Sequence, residues 1–153
     1  MKRFIKENII IILFTLLLGL LFILWGRIVV KEFRNHTYND HVTTQEARLR
    51  CLEYYGWEAD GSREAVKQVE IPKPLNAVFE EYNRLQKVCG FNLKNYEGKR
   101  ATCYTYPVSN FPYQVQEEVF VNLLIYKGKL IAGDCMSRAL DGFMLPLDRK
   151  YVP

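Results

Sequence analysis

"EVFVNLLIYKGKLIAGDCMS", Glu118 to Ser137, sets two apolar runs on either side of Tyr126-Lys127-Gly128-Lys129. Runs of this length and β-branched content, joined by a short glycine turn, predict an antiparallel hairpin. Loop length sets the register, because one residue of slip moves every side chain to the other face. With a three-residue loop, Val119, Val121, Leu123 and Ile125 share a face with Ile131, Gly133 and Cys135. A two-residue loop would place Asp134 opposite Val121 and bury an unpaired carboxylate, which is costly. The expected register therefore sends Cys135 into the core and puts Asp134 on the opposite face beside Asn122.

The elements upstream give this hairpin its neighbours. Thr43 and Glu46 have capping-box spacing, and Ala47, Cys51, Leu52 and Tyr55 follow with helical period up to Gly56. A strand is predicted over Ala65 to Ile71, closed by Pro72. Leu75, Val78, Phe79, Tyr82, Leu85 and Val88 predict a second helix with one buried stripe, Pro74 in its first turn and Gly90 at its end. "RATCYTYPV", Arg100 to Val108, alternates as a strand. The order helix, strand, helix, strand, strand, strand predicts an α+β domain over 43–153, with an antiparallel sheet of three to four strands and two packed helices.

Residues 1–31 belong to something else. Ile9 to Trp25 is 17 residues without a charge, with Thr15 as the one polar side chain. As a helix it would span roughly 26 Å at about 1.5 Å per residue, enough to cross a bilayer as a transmembrane helix. "WGRIVVKEF" after it offers no small-residue cleavage site, so the expectation is an uncleaved signal anchor. Residues 32–42 read as a juxtamembrane linker, with an Asn35-His36-Thr37 glycosylation pattern. Lys2, Arg3 and Lys6 before the run balance Arg27, Lys31 and Arg34 after it, so basic residues do not set the orientation. The short N-terminal tail favours a single-pass protein of the cell membrane with its folded domain outside the cytoplasm. The net charge of +4 lies wholly in residues 1–31. The remainder is neutral, which excludes a case for nucleic acid as partner.

Tyr104 and Tyr106 alternate to one side of their strand, and Phe120, Asn122, Leu124 and Tyr126 to one side of theirs, with Asp134 beside Asn122. If both helices covered the opposite face, Tyr104, Tyr106, Phe120, Asn122, Tyr126 and Asp134 would form an open surface for a peptide, glycan or protein partner at the envelope. One helix on each face would close it. Cys51, Cys89, Cys103 and Cys135 are either two disulfides of an oxidising compartment or four buried thiols. Their spacings carry no redox or zinc motif, and no cofactor or metal site is expected. A nucleophilic role for Cys135 wants a histidine, and His36 and His41 both lie in the linker. The expectation is a protein without catalytic residues. The alternatives are an envelope enzyme using Asp134 with Asn122 or Ser137, and a thiol sensor using Cys135.

The succession "YYGWEAD", "VEIPKPLNAVFEEYNRLQKVCGFNLKNYEGK", "CYTYPVSNFP", "VNLLIYKGKLIAGD" and "LDGFM" resembles a family of small bacterial domains catalogued as a domain of unknown function. The likeness runs from about Arg48 to Leu145. Its most specific pieces are Tyr82-Asn83-x-Leu85-Gln86 with Gly90-Phe91, and Leu140 to Met144. It implies a membrane-anchored envelope protein, mostly of Gram-positive organisms, and carries over no catalytic residue. The function expected is therefore a binding or interaction module at the cell envelope.

Overall fold

A computed structural model describes residues 2–152, with side chains for 13–29 and 38–152. The chain divides into two units, Met1–Thr37 and Tyr38–Pro153. The first is helical: helix α1 runs over Lys2–Asn39, so residues 32–39, expected as a linker, continue it. Large apolar side chains between Leu13 and Val29 stand exposed along it, Phe22 at 71%. Among the described residues no helix is long and apolar enough to cross a membrane. The side chains of Ile9 to Ile12, of the basic flanks Lys2, Arg3, Lys6, Lys31 and Arg34, and of Asn35-His36-Thr37 lie outside the described residues.

The second unit is the expected α+β domain, with more sheet than the sequence announces. Helix α2 spans Gln45–Tyr54 and α3 Ala77–Val88; strands are β1 Ala65–Glu70, β2 Arg100–Pro107, β3 Val119–Tyr126, β4 Lys129–Ser137 and β5 Met144–Pro146. Among the described residues the sheet has five strands in sequence order, all pairs antiparallel. The extra strand, β5, is three residues long and takes the sheet beyond the three to four strands expected.

The N-cap of α2 is Thr44, whose hydroxyl accepts from Ala47 N at 3.2 Å, and not Thr43. Thr43 is held elsewhere. Val42 N donates to Gly128 O at 2.8 Å, which sets the Thr43 methyl against the hairpin turn.

That turn has two residues, Lys127 and Gly128, both at positive φ (50° and 78°), the geometry that follows the right-handed twist of a hairpin. The register is nevertheless the one expected from a three-residue loop: Val121 faces Cys135, and Asn122 faces Asp134. The missing residue is supplied by a bulge, where the pairing slips between Leu124/Ala132 and Ile125/Leu130. Ile131 is the inserted residue, and it joins Leu124 and Ala132 in the core on the α3 side instead of the Val121 face expected for it.

Each helix covers one face. On the α2 side, Cys51, Leu52, Tyr55 and Trp57 pack on Tyr106, Val121, Leu123 and Cys135. On the α3 side, Leu75, Phe79 and Tyr82 pack on Cys103, Leu124, Ile131 and Ala132. Each fully buried leucine or valine in these layers contributes about 1.5–3 kcal/mol.

Helix α3 is turned from the orientation its hydrophobic period predicts. Val78 and Val88 are 74% and 46% exposed, whereas Asn83 and Gln86 are buried. The cause is backbone hydrogen bonding. Asn83 Oδ1 accepts from Leu93 N at 2.7 Å and Gln86 Oε1 from Gly133 N at 2.8 Å, so two amides take inward positions to satisfy buried N–H groups. The helix starts at Ala77 with Asn76 as N-cap, leaving Pro74 outside it.

Candidate functional site

Pairing across the strands brings Ala65, Thr105, Asn122, Asp134 and Pro146 into one transverse row on the α3 face. The polar members of that row form a directed chain. The Thr105 hydroxyl donates to Asn122 Oδ1 at 2.6 Å, and Asn122 Nδ2 donates to Asp134 Oδ2 at 2.8 Å. From the other side, the Tyr82 hydroxyl of α3 donates to Asp134 Oδ1 at 2.7 Å. Cys103 Sγ, in the neighbouring row, adds a long contact to Asn122 Oδ1 at 3.9 Å. Every donor in the chain leads to Asp134, whose carboxylate is the terminal acceptor.

Asp134 is 2% exposed. Burial raises its pKa above the ordinary 3.8; the Tyr82 and Asn122 donors and the charge of Lys67 act in the opposite direction. Tyr82 is held well above 10, first by burial of its hydroxyl and then by the negative charge of Asp134.

This carboxylate lies on the wall of a groove of about 830 Å³ between α3 and the sheet. Val69, Phe79, Leu85, Leu124, Met136 and Met144 make it apolar; Lys67 on β1 and Glu81 on α3 stand at its rim. The volume falls in the range of small-molecule sites, which combine apolar walls with a few placed polar groups. The groove exists because α3 is turned: Val78, which periodicity would press into the sheet, lines the opening instead.

The candidate surface read from the sequence is divided by the sheet. Phe120, Asn122 and Asp134 lie on the α3 face. Tyr126 packs there too, edge-on to Tyr96. Tyr104 and Tyr106 lie opposite Leu123 and Val121, on the α2 face. Tyr106 is fully buried, and its hydroxyl takes part in a cluster with Arg48 and Glu64. The Arg48 guanidinium donates to Glu64 Oε2 at 2.9 Å and lies over the Tyr104 ring at 3.8 Å. Burial pushes Glu64 up, but the Tyr106 and Arg48 hydrogen bonds bring it below 4.5 overall. This cluster satisfies its own charges.

Ser137 pairs with Val119 and so lies on the α2 face, where its hydroxyl accepts from Ala139 N; it cannot serve with Asp134. Asn122 does meet Asp134. All four cysteines are free thiols, Cys51, Cys103 and Cys135 buried and Cys89 half-buried. Burial pushes Cys51 and Cys135 up to about 12 and raises Cys89 and Cys103 in the same direction, so none is held as a thiolate. Among the described residues there is no cluster of three or more histidine, cysteine, aspartate or glutamate side chains that could hold a metal ion. Tyr82, Cys103 and Thr105 complete the Asp134 site without having been singled out for it. Tyr82 could have been found from its place on the inward stripe of α3, facing the strand that carries Asp134.

The chain belongs to the family described as "Domain of unknown function (DUF4830)", whose model matches residues 51–135. The match ends on Cys135 and so takes in Tyr82, Asn122 and Asp134. No curated protein and no solved structure matches the chain.

Proposed function

We propose that this chain is a single-pass membrane protein of the bacterial cell envelope whose extracytoplasmic α+β domain is a ligand-binding module, with the groove between α3 and the sheet as its site. The observation that carries the binding role is one buried carboxylate, held by oriented donors, on the wall of an apolar groove of about 830 Å³. A core aspartate with no adjoining space would only cost stability; here the space is present. What supports the anchor is the uncharged run Ile9 to Trp25, lying within one helix with large apolar side chains exposed. Support for an envelope location is the resemblance to anchored bacterial domains and the neutral charge of the folded part. Among the described residues the side chains hydrogen-bonded to Asp134 are Tyr82 and Asn122, an arrangement that this reading uses for binding.

Methionine methyls test the site directly, since Met136 and Met144 line the groove and the chain has three methionines in all. The full chain, carbon-13 labelled at methionine methyls and placed in nanodiscs of deuterated zwitterionic lipid, is titrated with 1-octanol. The Met136 and Met144 resonances are expected to shift, and Ala77→Trp, which lays an indole across the exposed groove mouth, is expected to abolish the shift. Unmoved methyls, or equal shifts in A77W, would overturn the groove as a binding site. Protease accessibility in intact cells tests the orientation. Protection of the folded domain until the membrane is opened would place it in the cytoplasm.

A further inference from the structure

We propose that the ligand taken by this groove is an amphiphilic organic ammonium ion, its apolar body against the groove walls and its N–H donors on the Asp134 carboxylate. The inference rests on the groove being the binding site, and adds the sign and chemistry of the ligand.

The neighbours of the carboxylate carry it. Tyr82 and Asn122 are both neutral, and each supplies one hydrogen bond to a different oxygen. A carboxylate has about four acceptor sites, so each oxygen retains capacity. Among the described residues no lysine, arginine or histidine forms an ion pair with Asp134, whereas Glu64, with its side chain 17% exposed, has its own arginine. Thr105 gives its proton to Asn122 Oδ1, so the Asn122 amide turns its NH₂ to Asp134.

The charges in contact with the groove add up to a negative balance, with Asp134 and Glu81 against the single Lys67. A carboxylate ligand would meet repulsion at the wall. A neutral alcohol would bring one donor and no charge. An ammonium brings three donors and the opposite charge to a place where water is largely excluded, the setting in which charge-assisted hydrogen bonds are strongest. The walls then select for an apolar body: Leu124, Met136 and Met144 offer no partner to a polyhydroxylated or multiply charged molecule. The flexible thioethers of the two methionines let the walls adapt to its shape.

Three eight-carbon probes of matched length separate these cases in the same labelled protein: octylammonium, 1-octanol and octanoate. Because octylammonium adds the opposite charge and further N–H donors to the single hydrogen bond that octanol can give the carboxylate, it is expected to bind about tenfold or more tightly than octanol. In Asp134→Asn that ratio is expected to fall to about one, since the variant removes the charge and keeps the shape. Should D134N fail to fold, native protein labelled at the aspartate carboxyl carbons gives a second readout. One buried aspartate resonance should move with octylammonium and stay still with octanol. Equal affinity of octylammonium and octanol would overturn the ammonium inference while leaving the groove reading intact. Tightest binding by octanoate would overturn it in favour of Lys67 as the anchoring charge. No shift at Met136 or Met144 with any probe would remove both.

Discussion

Replacing Tyr82 by phenylalanine deletes one oxygen and leaves the ring in place, so its effect isolates the bond to Asp134. That bond is 2.7 Å long, donated to a buried carboxylate that has one other side-chain donor, Asn122. Loss of a hydrogen bond to a charged group costs about 1.5–3 kcal/mol, against about 0.5–1.5 for a neutral pair. Asp134 folds with its pKa above 3.8, and the Tyr82 hydroxyl acts to lower it. Tyr82→Phe therefore raises that pKa further, and its cost is full above the folded value and shrinks as the pH falls through it. Guanidinium unfolding of the full chain in micelles measures this, followed by Trp57, which is 2% exposed. A Trp25→Phe background removes the second indole. With a slope of about 4 kcal/mol per molar, a loss of about 2 kcal/mol moves the midpoint down by about 0.5 M. In the Asp134→Asn background the same substitution should cost only the neutral amount. A cost unchanged by pH and unchanged in D134N would refute the reasoning, because the hydroxyl would then be independent of the carboxylate.

Other substitutions probe other parts of the structure, each read by the same unfolding experiment. Asp134→Asn is expected to raise stability near neutral pH and to lose that gain towards acid, because a carboxyl with a raised folded pKa costs stability as the pH climbs past its unfolded 3.8. The Asn122 amide turns over to accommodate it, with Thr105 then accepting. Gly133→Ala places a Cβ 2.9 Å from the Asn122 carbonyl oxygen and 2.8 Å from Leu147 Cδ2; the backbone cannot yield as a side chain can, so a loss of about 1–3 kcal/mol is expected. Gln86→Leu strands the Gly133 N–H in the core at a cost of about 1–3 kcal/mol. Arg48→Met leaves Glu64 unpaired in a pocket where the two side chains are 6% and 17% exposed, and is expected to cost about 3–5 kcal/mol at neutral pH. Glu64 folds with a lowered pKa, so its contribution is present above 4.5 and fades as the pH falls through the folded value, where the native and R48M curves converge.

The hairpin was legible because alternation and a glycine turn act over neighbouring residues, and the cost of burying Asp134 beside Val121 selects the register. The relation between β2 and β3 was not legible. Residues 108–118 form a long connection, which transmits no parity from one strand to the next, so Tyr104 and Tyr106 could be given the wrong face without any local inconsistency. Strand β5 is three residues long and ends in proline, too short for a period to show. Helix α3 was legible as a helix and misread in rotation, because hydrophobic period ranks Asn83 and Gln86 as outward residues. Their inward places follow from backbone N–H groups at Leu93 and Gly133, which sit far along the chain. The site depended on both matters, since a helix turned to press Val78 and Leu85 into the sheet would leave no groove.

The bulge at Ile131 bears on how this chain can change over generations. It takes up one residue between a two-residue turn and the Asn122–Asp134 pair, so deletion of Ile131 would give a regular hairpin with every later partner unchanged. A deletion between Ala132 and Asp134 has no such reserve: it would carry Cys135 round to the groove in place of the aspartate. Descendants of this sequence can therefore gain or lose length at one point of the strand, and beyond that point the reading frame of the two faces is locked.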